Sequence, residues 1–185
     1  MKRTLFIVVT VCLVARANGS TAQESAPRRE RIAMIGDTNA EFLCNPLSAI
    51  AENNKADLVV TPQRKSPVAD WNEHEEWTAW LDEFDPTLVI IVLGTNEAAL
   101  ARKNDEMICS FQSLFERLTN DSRRVIWVKP IADAKMKNLE PVRAAIEGSG
   151  AIWIDSNETI KVAGNALKKA DYGRWAADIA KAIGL

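Results

Sequence analysis

From Arg31 onward the chain alternates short apolar runs with longer segments whose apolar residues recur every three or four positions. The first run, Arg31-Ile32-Ala33-Met34-Ile35, stops abruptly at Gly36-Asp37-Thr38. A helix is predicted from Glu41 to Asn53, with Phe42, Leu43, Leu47 and Ile50 at helical spacing. Asp57 to Thr61 reads as a short strand, and Pro62 to Ala69 as an irregular loop. Asp70 is placed to cap a helix running to about Phe84, which carries Trp71, Trp77, Trp80 and Leu81 and closes at Asp85-Pro86. Thr87 to Leu93 is apolar on both faces, the mark of a central parallel strand, and it ends in Gly94-Thr95-Asn96-Glu97. A long helix to about Thr119, a strand at Arg124 to Val128 and a helix at Glu140 to Glu147 follow. The last elements are a strand from Ala151 to Ile154, ending at Asp155, and a helix from about Lys169 or Asp171 carrying Tyr172, Trp175, Ile179 and Ile183.

Strands alternating with helices predict a three-layer α/β/α sandwich around a five-stranded parallel sheet with right-handed crossovers. Sheets of this kind place their ligands at the carboxyl ends of the strands. Gly36-Asp37-Thr38 and Gly94-Thr95-Asn96-Glu97 are delivered to that edge. The Thr38 hydroxyl stands at the first turn of a helix, close to unpaired amides, which is where a nucleophile would be held.

The first thirty residues have a different character. Lys2 and Arg3 precede an apolar segment from Leu5 to Val14, and a small, polar region ends at Ser20-Thr21-Ala22. This is the layout of a secretory signal, with cleavage expected before Gln23. The organisation expected is a signal peptide at 1–22, a polar leader at 23–30 and one compact domain at 31–185. The apolar segment is too short to span a bilayer as a helix, so no membrane span is expected after signal removal. A secreted or periplasmic location follows. Cys44 and Cys109 remain, both in predicted helices; an even pair in an oxidising compartment favours a disulfide, and two buried free thiols are the alternative.

The formal charge of −2 makes no electrostatic case for nucleic acid or an anionic membrane. With one histidine in the whole chain there is no metal-ligand cluster, and no cofactor is implied. Of the six tryptophans, Trp77, Trp80, Trp127, Trp153 and Trp175 fall in periodic or strand segments and are expected in the core. Trp71, beside the loop ending at Asp70, is the candidate for a pocket wall.

Gly36-Asp37-Thr38, Gly94-Thr95-Asn96-Glu97 and the C-terminal Tyr172-Gly173-Arg174-Trp175 segment together resemble the SGNH (GDSL-like) hydrolase superfamily of esterases, lipases and carbohydrate deacetylases. The resemblance covers nearly the whole domain and implies a flavodoxin-like sheet. It implies a nucleophile at the position of Thr38, with Asp37 fixing the nucleophile loop. Gly94 and Asn96 match the block that supplies the oxyanion asparagine, and Ser66 fills the block of a second oxyanion donor. In that family a serine needs a base to take its proton and donors to hold the tetrahedral oxyanion.

This chain departs from the pattern at the chemistry itself. Threonine replaces serine at position 38, and its β-methyl restricts χ1 and crowds the line of attack. The family's acid and histidine fall near Ala163 and Ala166, where no ionisable side chain stands. His74 lies in Trp71-Asn72-Glu73-His74-Glu75-Glu76-Trp77 and is either a substitute base or, as the acidic surroundings favour, a solvated helix residue. Loss of base and nucleophile removes on the order of 10⁴ to 10⁶ in rate. The expectation is an exported, catalytically impaired SGNH-like protein that binds a glycan or an ester-bearing ligand. The alternatives are a weak esterase or deacetylase using Thr38, and a structural or partner-binding protein whose cleft has filled.

Overall fold

The computed structural model describes residues 29–73, 76–99, 104–119, 123–133, 136–162 and 166–185. The expected signal peptide, most of the leader, His74 and Ala163 lie outside these residues. Five strands are formed: β1 (Arg31–Gly36), β2 (Asp57–Pro62), β3 (Leu88–Val92), β4 (Arg124–Val128) and β5 (Ile152–Ile154). Seven helices are described between and after them: α1 (Thr38–Asn53), α2 (Val68–Glu73), α3 (Glu76–Phe84), α4 (Thr95–Ala99), α5 (Asn104–Leu118), α6 (Leu139–Gly148) and α7 (Lys169–Ile183). The helix expected from Asp70 to Phe84 is described as α2 and α3, and the long one after Glu97 as α4 and α5.

All strand pairs are parallel, in the order β2-β1-β3-β4-β5. After the arginines that open β1 and β4, successive positions of β1, β3 and β4 are buried on both faces of the sheet. Ala33, Ile35, Val89, Ile91, Val125 and Trp127 face one helical layer, while Ile32, Met34, Leu88, Ile90, Ile126 and Val128 face the other. Residues of α2, α3, α5 and α6 build the first layer, where the Phe111 and Trp127 rings stack at 4.7 Å. α1 and α7 build the second, with Leu43, Leu47, Trp175 and Ile179 fully buried. Among the described residues, no helix is long and apolar enough to cross a membrane.

Two expectations need correction here. Cys44 and Cys109 are free thiols, the first half-buried and the second exposed. They cannot meet, because α1 and α5 pack on opposite faces of the sheet. Trp153 is not core: β5 is an edge strand, and its outward ring is 44 % exposed.

Candidate functional site

Reversal of strand order between β1 and β3 opens the crevice at which sheets of this order bind ligands. The ends of those two strands are held together unusually closely. A Cβ on Gly36 would lie 2.4 Å from the Val92 carbonyl oxygen and 2.7 Å from the Ala40 Cβ, so only glycine fits. With that closeness, the Asp37 amide donates to the Val92 oxygen at 3.1 Å and the Gln63 amide to the Gly36 oxygen at 2.8 Å. Gly94 turns the end of β3 at φ 112°, a conformation that side chains other than glycine strain to adopt.

Asp37 then caps α1, its Oδ1 accepting from the Asn39 amide at 2.8 Å. Asn96, at the start of α4, reaches across. Its Nδ2 donates to the Ser66 carbonyl at 3.0 Å and, more weakly, to Asp37 Oδ2 at 3.4 Å. Ser66 is buried, its amide donates to Gln63, and its hydroxyl proton is shared between Gln63 Oε1 and Asp70 Oδ2, each at 3.2 Å. Both protons of the Asn96 amide and the Ser66 N–H are therefore engaged within the fold. The three strand-end loops are tied to one another by the groups that the family pattern would assign to an oxyanion.

A second chain of hydrogen bonds runs from this cluster to the surface. The Tyr172 hydroxyl on α7 donates to Asn39 Oδ1 at 2.9 Å, and Asn39 Nδ2 donates to Thr95 Oγ1 at 2.8 Å. The Thr95 hydroxyl in turn bonds the Asp37 carboxyl. Asp37 is 1 % exposed. Burial pushes its pKa up to about 7; the nearby Glu97 charge adds to this, while bonds from the Asn39 amide and Thr95 oppose it. Glu97 is also buried and accepts from the Val68 amide at 2.6 Å, which seats the first turn of α2. Burial and the charges of Asp37, Asp133 and Asp171 push Tyr172 up to about 12, so it is a neutral donor.

Thr38, the expected nucleophile position, is the first residue of α1 and is half-buried. Its hydroxyl makes no hydrogen bond to a described residue. Ala166, at the family's histidine position, is exposed and carries only a methyl group. The structure thus brings Asp37, Ser66 and Asn96 into one bonded cluster beside Gly94 and Thr38. Trp71 does not join it. That residue is fully buried in the other layer, 5.8 Å from the Trp77 ring, and is no pocket wall.

The open volume lies next to this cluster. The first half of α1 and the start of α7 flank a groove of about 850 Å³, with Phe42, Pro46, Leu167 and Tyr172 as its apolar walls. The Phe42 and Tyr172 rings meet at 5.0 Å, and Phe42 remains 51 % exposed. Among the described residues there is no cluster of acids, histidine and cysteines suited to a metal ion.

Sequence reasoning passed over Asn39 and Thr95 and used Tyr172 only as a landmark. A signal for Asn39 was present: it falls four residues before Leu43 and eight before Leu47, on the apolar stripe of α1. A polar residue in such a stripe needs a partner, and here it has two. Nothing in the local pattern pointed to Tyr172, which lies 133 positions from its acceptor.

A parallel sheet of this order, covered by helices on both faces, defines the three-layer α/β/α class. Within that class the chain has the fold of the SGNH (GDSL-like) hydrolases. A lipase/acylhydrolase from Enterococcus faecalis matches it with a TM-score of 0.64 at 13 % identity, over 83 % of this chain and 95 % of the other. A lipolytic-type protein of the G-D-S-L family from Desulfitobacterium hafniense matches with 0.66 at 13 %, over 83 % and 99 %. A family 3 carbohydrate esterase from Clostridium thermocellum matches with 0.66 at 12 %, over 83 % and 94 %. At these identities the likeness is one of fold. No family model matches the sequence, and no curated protein matches it significantly.

Proposed function

We propose that this chain is an exported SGNH-fold protein that binds a glycan or ester-bearing ligand at the carboxyl edge of its sheet without efficient turnover. The observation that carries the reading is the engagement of Asn96 and Ser66. Donors already bonded to Ser66, Asp37 and Gln63 would have to break those bonds to hold an oxyanion. No imidazole is present at Ala166 to activate Thr38. The 850 Å³ groove supports binding over a purely structural role. Ester and carbohydrate-ester chemistry in the neighbours of like fold supports the ligand class. The 1–22 segment is read as the export signal and 31–185 as the mature domain.

The competing reading is a weak esterase, favoured by the Thr38 hydroxyl that makes no bond to a described residue. Assay of purified 31–185 on small acetyl esters decides between them. The expected result is no turnover above buffer, with Thr38→Ala unchanged and Thr38→Ser gaining nothing appreciable, because neither change supplies a base. Turnover that Thr38→Ala abolishes, or a fast esterase from Thr38→Ser alone, would overturn the proposal. His74→Ala in the same assay separates a substitute base from a bystander.

A further inference from the structure

The two edges of the sheet are finished differently. β2 opens on Asp57, which pairs with Arg29, and ends at Pro62. A charge and a proline are what keep a strand edge from adding another strand. β5 has neither within Ile152-Trp153-Ile154. It carries instead two adjacent apolar side chains turned to solvent, Ile152 at 64 % and Trp153 at 44 % exposure, whereas on β2 the exposed apolar side chain is Val59 alone.

The backbone of this edge is its own complement. The Lys129 amide donates to the Ile154 oxygen at 2.9 Å, so the backbone groups of Ile154 point at β4. Direction alternates along a strand: Ile152 shares that of Ile154, and the N–H and C=O of Trp153 point away from the sheet. Two copies of β5 set antiparallel about Trp153 therefore exchange two N–H···O bonds between their Trp153 residues. Each Ile152 then lies opposite Ile154 of the second copy, in a non-hydrogen-bonded pair, where facing side chains come closest. The Lys129 ammonium, 3.4 Å from the centre of the Trp153 ring, holds that ring back towards β4 and off the line of approach. Glu147 and Asp155 flank the stretch and are both paired with Lys129, so like charges do not oppose the contact. The chain's own sequence meets the requirements of the edge, and no other strand is needed.

We propose that β5 is the interface of a two-fold symmetric dimer, in which two copies of this chain pair antiparallel about Trp153 and join their five-stranded sheets into one. The inference is independent of what the cleft binds. Antiparallel pairing turns the carboxyl edges of the two sheets in opposite directions, so the dimer presents its two Asp37 clusters to opposite sides. A contact centred on three residues per copy lies at the small end of specific interfaces, and its association belongs in the micromolar range.

Sedimentation velocity on the 23–185 chain, which keeps the polar leader, tests it. Twice the monomer mass is expected at about 100 µM, falling to the monomer on dilution to about 1 µM. Ile152→Lys should weaken the dimer at least about tenfold. It should leave the unfolding temperature of the dilute monomer unchanged, because the side chain is mostly exposed there. Cross-linking fixes the register, on a Cys109→Ser background that removes the exposed thiol. Proteins carrying Ile152→Cys and Ile154→Cys should form a disulfide-linked dimer when mixed and oxidised, since facing Cα atoms of such a pair lie about 4.5 Å apart. Either protein alone should stay monomeric on a denaturing gel, since its own thiols would sit on a diagonal of about 7–8 Å. A monomer at the upper concentration, a dimer indifferent to Ile152→Lys, or cross-linking of Ile152→Cys with itself overturns the inference. A 23–185 chain that stays monomeric while 31–185 dimerises also overturns it, and assigns the leader to this edge.

Discussion

Two of the ionisable side chains buried at the carboxyl edge of the sheet are treated in opposite ways. Lys129, just past β4, is 3 % exposed but fully compensated. Its ammonium lies 2.6 Å from Glu147, 3.7 Å from Asp155 and 3.4 Å from the centre of the Trp153 ring. Asp155 is stabilised in return. Burial pushes its pKa up, but bonds from Asn157 and the charges of Arg143 and Lys129 outweigh that and hold it below the usual carboxylate range. Asp37, just past β1, meets no cation among the described residues. It faces a second acid, Glu97, and its neighbours are amides and hydroxyls. A buried charge that serves only packing is normally paired. An unpaired buried carboxyl at a strand-order reversal is the kind of cost that sheet edges carry where chemistry or binding is placed. The difference separates a corner of the edge whose buried charge is paired from one whose buried carboxyl is held by neutral groups and faces a second acid.

The largest effect should come from breaking the seat of the Asp37 corner. Gly36→Ala puts a methyl group into the Val92 carbonyl and Ala40, and should cost about 3 kcal/mol in denaturant unfolding. A change below about 0.5 kcal/mol would mean that β1 and β3 can part freely.

Titration of Asp37 comes next. Its native pKa is raised from 3.8 to about 7, so the native state holds a proton that the unfolded chain has already lost. Its contribution is therefore complete below about pH 4, declines as pH rises towards 7 and is flat above that, a loss on the order of a few kcal/mol. Asp155 and Asp171, both held below the usual range, act in the opposite sense only under more acidic conditions. Asp37→Asn should flatten the slope between pH 4 and 7, and Glu97→Gln should reduce it by removing the like charge. An unchanged slope in Asp37→Asn would assign it to another group.

The smallest effect is expected at the compensated corner. Lys129→Met keeps the packing on Trp153 and leaves Glu147 and Asp155 with solvent access. It should cost about 1 kcal/mol in thermal unfolding, below the 3–5 kcal/mol of a pair whose surviving charge is trapped. A loss in the upper range would show that this corner also carries the edge.

The strand ends were legible because the chemistry there is written in consecutive residues. Gly36-Asp37-Thr38 and Gly94-Thr95-Asn96 each follow an apolar run, and both land at the reversal between β1 and β3. Asn96 was assigned by resemblance, but its engagement was not readable, because its acceptor, Ser66, lies 30 positions away. The cysteine pair misled for a related reason. Two thiols in helices give no sign of which face of the sheet each helix covers. Trp71 and Trp153 exchanged expectations: the loop neighbour went to the core and the strand residue to the surface. Whether a strand ends up central or at an edge is decided by its partners.

By itself the chain determined its elements, their parallel alternation and the absence of any imidazole at Ala166, since periodicity and residue identity are local properties. Tertiary structure alone decided that α1 and α5 lie apart and that Tyr172 closes a chain of bonds to Asp37. It also decided that an apolar groove opens between α1 and α7. Those outcomes depend on distances between residues far apart in sequence, and such distances exist only once the layers have packed.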